Sequence, residues 1–201
     1  GPIEKINEGF VYNRPMKEKE KSIFSEPLPK NQNYNDVLLK ILGHENVASR
    51  APVYECYDKN VQGRVVLERG QANAGVVAPF DSEKYPEEIK DDCFSATLSH
   101  NPAIGKIDSF LVAQYAVLEA CARTVSVGAT PVALTDCLCF GNPEKPEQMW
   151  QFAQSCLAIR EACDLLRFNG LKNLPIVAGN VSFYNQSGDQ SIPASPMIGC
   201  F

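Results

Sequence analysis

PVALTDCLCF (131–140) and LPIVAGNVSFY (174–184) are two apolar runs, and the stretch between them decides the fold. That stretch carries Met149, Phe152, Ala153, Cys156, Ile159, Cys163 and Leu166 at helical spacing. Pro143 and Pro146 fall just before the stripe or in its first turn, where proline is tolerated. Strand, helix, strand is a crossover unit, so the two flanking strands should run parallel. Equivalent ends of parallel strands share one sheet edge, the place where α/β sheets bind ligands. Asp136 follows the apolar PVAL, and Gly179-Asn180 follows PIVA. The expectation is that Asp136 and Asn180 face one crevice.

Leu111, Tyr115, Leu118, Ala122 and Val125 form a second helical stripe, bracketed by Gly128 and Pro131. SPMIGCF (195–201) and CFSATLS (93–99) read as strands, and RVVLE (64–68) and GVVAPF (75–80) as short β-like runs. DSEKYPEEIKDD (81–92) reads as a charged hairpin or loop. Tyr34, Val37, Leu38, Ile41 and Leu42 predict a short amphipathic helix ending at Gly43. Residues 1–32 are polar and read as a linker or wrapping arm. The pattern is α/β (α+β): a mixed sheet packed on helices. Residues 1–45 are expected to be an arm with a short helix, and 46–201 the folded domain.

The chain has 201 residues, 44% of them hydrophobic, and a net charge of -5. No apolar run is long enough to span a membrane, and the charge argues against a nucleic-acid partner, which would need clustered cations. Eight cysteines stand at 56, 93, 121, 137, 139, 156, 163 and 200 without a CxxC pair. Cys137 and Cys139 would share one strand face. They read as buried thiols of a reducing cytoplasm, with zinc the lesser alternative. Glu119 and Arg123 read as a surface ion pair, and His100 has no partner placed by spacing to make it a base.

The residue types around 136 and 180 suit a nucleotide and a magnesium ion. Asp136 and Asn180 offer oxygen ligands, Gly179 lets a phosphate approach the backbone, and Ser182 shares the face of Asn180. Each has a plainer reading. Asp136 could cap a loop, Gly179 could form a bulge and Asn180 could brace a turn.

TDCLCFGNPEKPEQMWQF (135–152) and AGNVSFYNQS (178–187) resemble segments of the phosphoribosylformylglycinamidine (FGAM) synthase family. IPASPMIGCF (192–201), GATPVALTDC (128–137) and NVASRAPVYECYDKNVQ (46–62) extend the resemblance over about 46–201. It implies the second ATP-binding-type domain of a PurL-type subunit. That domain is a half-barrel of the AIR-synthetase N-terminal type, which pairs with a similar domain. The implied activity is the ATP- and glutamine-dependent conversion of formylglycinamide ribonucleotide to its amidine in purine biosynthesis. The chain alone would be inactive, with no catalytic residue of its own, or would serve as a non-catalytic nucleotide-binding module. Carried over by motif, Asp136 and Gly179 are ATP positions, Asn180 a Mg2+ position and Ser182 a substrate position. The implied partners are the remaining domains of the synthase, a second copy of this fragment, and the glutaminase supply. That supply is a PurQ-type glutaminase with a small PurS-type subunit, or a fused glutaminase domain. Departures stand at Cys139 (Asn is usual), Asn73 (Asp is usual) and Val112 (Gly is usual).

Overall fold

The computed structural model describes residues 12–20, 33–56, 61–68, 70–168 and 170–201. Most of the sequence-predicted arm lies outside these residues. In the described part, the Lys17 N–H donates to the Pro146 carbonyl at 3.2 Å, and its ammonium lies 3.4 Å from Glu147. The segment therefore touches the start of a long helix.

The elements in order are α1 (Tyr34–Gly43), α2 (Ala51–Tyr54), β1 (Val65–Leu67), β2 (Gly75–Val77), α3 (Glu87–Lys90) and β3 (Phe94–Ser99). They continue with α4 (Pro102–Ile107), α5 (Ser109–Ser126), β4 (Leu134–Cys139), α6 (Pro146–Leu165), β5 (Ile176–Ser182), β6 (Gln186–Ser187), β7 (Gln190–Ser191) and β8 (Ser195–Cys200). The six-stranded sheet has the order β1-β2-β3-β8-β4-β5. β4 and β5 pair in parallel, as the crossover requires, and β8 pairs antiparallel with both β3 and β4. The charged stretch 81–92 contains the short helix α3 rather than only a loop.

Capping explains where α5 starts. The Asp108 carboxylate accepts from the N–H groups of Phe110 and Leu111, satisfying donors that have no intrahelical partner. Asn101 does the same for α4. The core lies between one sheet face and the helices α5 and α6. It contains Val112, Ala116, Val117, Ala120, Leu134, Leu138, Phe140, Ala158, Ile159 and Ile198.

The sequence stripe on α5 is the outer face, not the inner one. Leu111, Leu118 and Val125 are exposed, while Val112, Ala113, Ala116, Val117, Ala120 and Cys121 are buried. α5 carries apolar residues on its outer face as well as its inner one, so periodicity in its larger residues does not mark the buried face. Small side chains are what the inner face needs, because α5 sits against β3, β8 and α6 at once. The α6 stripe is nearer the mark. Ile159 and Cys163 are buried, and Phe152, Cys156 and Leu166 pack against the core. α1 forms as expected from its spacing but has no buried residue.

Alternation along β3 sorts the sheet into two faces. Ser95, Thr97 and Ser99 point to the helices and are buried, while Phe94 and Leu98 are exposed on the other face. Phe201 stacks on Phe94 with ring centroids 5.3 Å apart. The face away from the helices thus carries apolar side chains in the open.

Candidate functional site

β5 is an edge strand, and its residues from Ile176 to Val181 are exposed. In the parallel register Asp136 stands opposite Gly179, Cys137 opposite Asn180 and Cys139 opposite Ser182. Paired residues share a face. Asp136 therefore lies on the helix side with Leu134 and Leu138. The thiol of Cys156 on α6 is pushed up first by burial and then by the negative charge of Asp136, which agrees with that side.

The Asp136 carboxylate fills the volume next to Gly179. A Cβ built on Gly179 would sit 2.6 Å from the Asp136 Cγ and 2.7 Å from its Oδ2. Only glycine leaves this carboxylate uncovered toward the β5 edge. Burial raises the Asp136 pKa above the usual carboxylate value, and the Asn180 backbone N–H, donating to it, offsets part of the rise.

Asn180 lies on the opposite face. Its Nδ2 donates to the Cys137 Sγ at 3.4 Å. The expectation of one crevice for the Asp136 and Asn180 side chains therefore does not hold. Gly179 and Asn180 are successive strand residues, so their side-chain directions are opposed. Asp136 also lies inside β4 rather than at its end. The two side chains are joined through the backbone instead, by the Asn180 N–H on the Asp136 carboxylate. Ser182 shares the Asn180 face, and its hydroxyl accepts from Asn185 Nδ2 at 3.1 Å. Asn185 Nδ2 also donates to the carbonyls of Phe140 and Ser182, which ties together the carboxyl ends of β4 and β5.

Beyond those ends is a cavity that the sequence did not disclose. Its volume is about 490 Å3, and Lys19, Lys106, Lys145, Glu147, Gln148 and Ser191 are among its lining residues. Lys145, at the N-cap of α6, donates from Nζ to the Asp189 carbonyl at 3.2 Å. Gly141 is required here as well. A Cβ on it would lie 2.6 Å from both Gln148 Oε1 and Ser191 Cβ. Lys145 was legible only as part of a charged helix start. Lys106 and the β6–β7 hairpin carried no sequence signal, because the chain brings them together over some eighty residues.

Glu119 makes more contacts than its sequence reading as a surface ion pair implies. It accepts from Ser99 Oγ, from the Tyr115 hydroxyl at 2.8 Å and from Arg123 at 2.9 Å. These contacts hold its pKa below the usual value against the opposing effect of burial. His100 Nδ1 lies 3.3 Å from the Pro196 carbonyl.

A magnesium ion takes hard oxygen ligands and keeps waters or phosphate oxygens in its remaining positions. The Asn180 side-chain oxygen fits that chemistry as one ligand beside phosphate oxygens. Among the described residues, no group of three or more His, Cys, Asp or Glu could hold a metal by itself.

Residues 72–201 match the family described as AIR synthase related protein, N-terminal domain. The chain belongs to that family. It is 37% identical to the phosphoribosylformylglycinamidine synthase subunit PurL of Methanothrix thermoacetophila. That match covers 99% of this chain and 25% of the relative. Among solved structures it is similar to PurLQS from Thermotoga maritima, with a TM-score of 0.63 at 22% identity, covering 93% of this chain and 27% of that one. The T. maritima PurL complexed with ADP gives a TM-score of 0.61 at 25% identity, covering 90% and 27%. The fold is thus the AIR-synthase-like mixed sheet packed on helices. The chain spans about a quarter of the length of these curated PurL relatives. No helix among the described residues is long and apolar enough to cross a membrane.

Proposed function

We propose that this chain is a segment of an FGAM synthase of the PurL kind, with 46–201 as its nucleotide-binding domain and 1–45 as an arm. The observation that carries the reading is the Asp136–Gly179–Asn180 arrangement at the free edge of β5. It lies within the two motif segments that resemble that family, in a chain that matches PurL relatives over nearly its whole length. The reaction is a two-step amide activation. The amide oxygen of formylglycinamide ribonucleotide takes the γ-phosphoryl group of ATP and ADP leaves. Ammonia from glutamine then adds at the activated carbon, and phosphate departs to give the amidine. The nucleotide assignment is supported by the similarity to a PurL complexed with ADP.

The geometry supports a role for each of these residues. Gly179 opens a notch at the sheet edge through which a nucleotide reaches the Asp136 carboxylate. Asn180 and Ser182 face the other side of the same edge, so a ligand that meets all four straddles β5. Asp136 also fixes the Asn180 backbone by accepting its N–H. Mg2+ would be held in part by the Asn180 side-chain oxygen and would supply charge neutralisation at the phosphates. Lys106 and Lys145 place positive charge beyond the ends of β4 and β5, where a phosphorylated substrate can be met. Transfer of this kind is mostly positioning and electrostatics, so a wall of a site contributes without a catalytic side chain of its own.

The partners in this reading are the other domains of the synthase together with PurQ- and PurS-type subunits or a fused glutaminase. The T. maritima relative is described as PurLQS, which supports the subunit form. The location is the cytoplasm. The chain cut from its neighbours pairs with a second copy through the sheet face bearing Phe94 and Leu98.

A second reading keeps the nucleotide and drops the chemistry, making it a structural element of the enzyme. One observation favours it: Asn73 stands where the resembled family has Asp. Asn180→Ala in the full-length enzyme separates the two. A catalytic site loses kcat at unchanged melting temperature, whereas a structural site loses melting temperature at near-normal turnover.

A further inference from the structure

We infer that Cys137, Cys139 and Met197 form a binding site for a soft monovalent cation of the cuprous class on the sheet face away from the helices. This site does not depend on the nucleotide reading.

Cys137 and Cys139 lie two residues apart on β4, so both side chains project to the same face. Their Sγ atoms are 3.7 Å apart. One ion with metal–sulfur bonds of about 2.3 Å spans that gap at an angle of about 107°, close to the trigonal and tetrahedral values. The thiols are thus spaced for a shared ion with little movement. A direct disulfide would require the sulfurs to close to about 2 Å.

The third ligand decides the class of ion. Met197 on β8 is the cross-strand partner of Cys137. Directly opposed side chains start about 4.5–5.5 Å apart at Cβ, and the unbranched methionine side chain reaches across that distance. Two thiolates and a thioether select Cu(I). Zinc would need four good ligands, and His or further Cys, Asp or Glu ligands do not complete such a group among the described residues. The remaining neighbour is Asn180, whose amide N–H donates to the Cys137 Sγ. A donor at the coordinating sulfur stabilises the excess negative charge of a dithiolate around a single positive ion.

Coordination replaces the two S–H protons by the cation and releases them to solvent. Because those protons must leave, the affinity rises with pH.

The test is an anaerobic competition against the coloured Cu(I)–bicinchoninate complex with ascorbate as reductant. It uses the chain with Cys56 and Cys93, its two exposed thiols, replaced by Ser. One equivalent of Cu(I) is expected to leave the dye per chain. Cys137→Ser/Cys139→Ser should abolish this, and Met197→Leu should weaken it at least tenfold. Copper uptake unchanged in the double variant overturns the site, as does unchanged affinity in Met197→Leu. Zn(II) held more tightly than Cu(I) also overturns it. Should the double variant unfold by circular dichroism, Cys139→Asn alone decides. Loss of the equivalent from a folded Cys139→Asn chain supports the site, and retention overturns it.

Discussion

The carboxylate of Asp136 occupies the space into which any side chain at Gly179 would grow. The two residues sit side by side on parallel strands, forty-three positions apart in sequence. One is therefore a constraint on the other, and both can be tested through it.

Gly179→Ala forces the new methyl group against the Asp136 carboxylate, and overpacking of this kind costs about 1–3 kcal/mol. A lowered urea midpoint is expected. In Asp136→Ala/Gly179→Ala the clash is absent, so the double variant should be less destabilised than the sum of the singles. Strict additivity in a denaturation cycle would show that the two side chains do not meet.

The raised pKa of Asp136 has a defined sign in stability. The folded protein binds this proton more tightly than the unfolded chain does. The resulting stabilisation is full below the unfolded carboxylate pKa and is lost as pH rises through the higher folded pKa. Asp136→Asn removes the charge at every pH. The variant should gain stability relative to the parent at neutral pH, and the gap should close as pH falls into the acid range. Urea midpoints of both proteins across that range measure it. A gap that widens on acidification would reverse the assignment.

Two apolar surfaces are open in the chain, and they make different predictions. Phe94 and Leu98 lie on the sheet face, and Leu111, Leu118 and Val125 on the outer face of α5. Self-association through the sheet face should be lost in Leu98→Glu and retained in Leu118→Glu. Light scattering at high concentration distinguishes them. A parent chain that is monomeric throughout would remove the pairing proposal.

The order of strand, helix and strand was legible from periodicity alone, and so was the parallel pairing of β4 and β5. The buried face of α5 was not. Its inner contacts use alanine, valine and cysteine because the sheet and α6 leave little room, while its leucines lie outside. Residue size misled because the helix carries apolar side chains on its outer face as well. At the site, the motifs brought Asp136 and Gly179 together correctly, but alternation along β5 turns Asn180 to the other face. The cavity with Lys106 and Lys145 depends on α4, the start of α6 and the β6–β7 hairpin meeting. No local pattern encodes such a meeting.

Lys145→Ala tests whether that cavity serves a phosphorylated substrate. In the full-length enzyme the expected effect is a rise in KM for formylglycinamide ribonucleotide of about tenfold, the order of one charge-assisted contact. The KM for ATP should be unchanged. An unaltered substrate KM would remove the lysines from the site.

The central claim is that the free edge of β5 is one wall of a metal–nucleotide site. Calorimetric titration of Mg–ADP into the full-length enzyme, parent and Asn180→Ala, tests it most directly. The stoichiometry is expected to fall by one nucleotide per chain in the variant, at an unchanged melting temperature of the unliganded protein. Equal stoichiometry and affinity in the two proteins would contradict it.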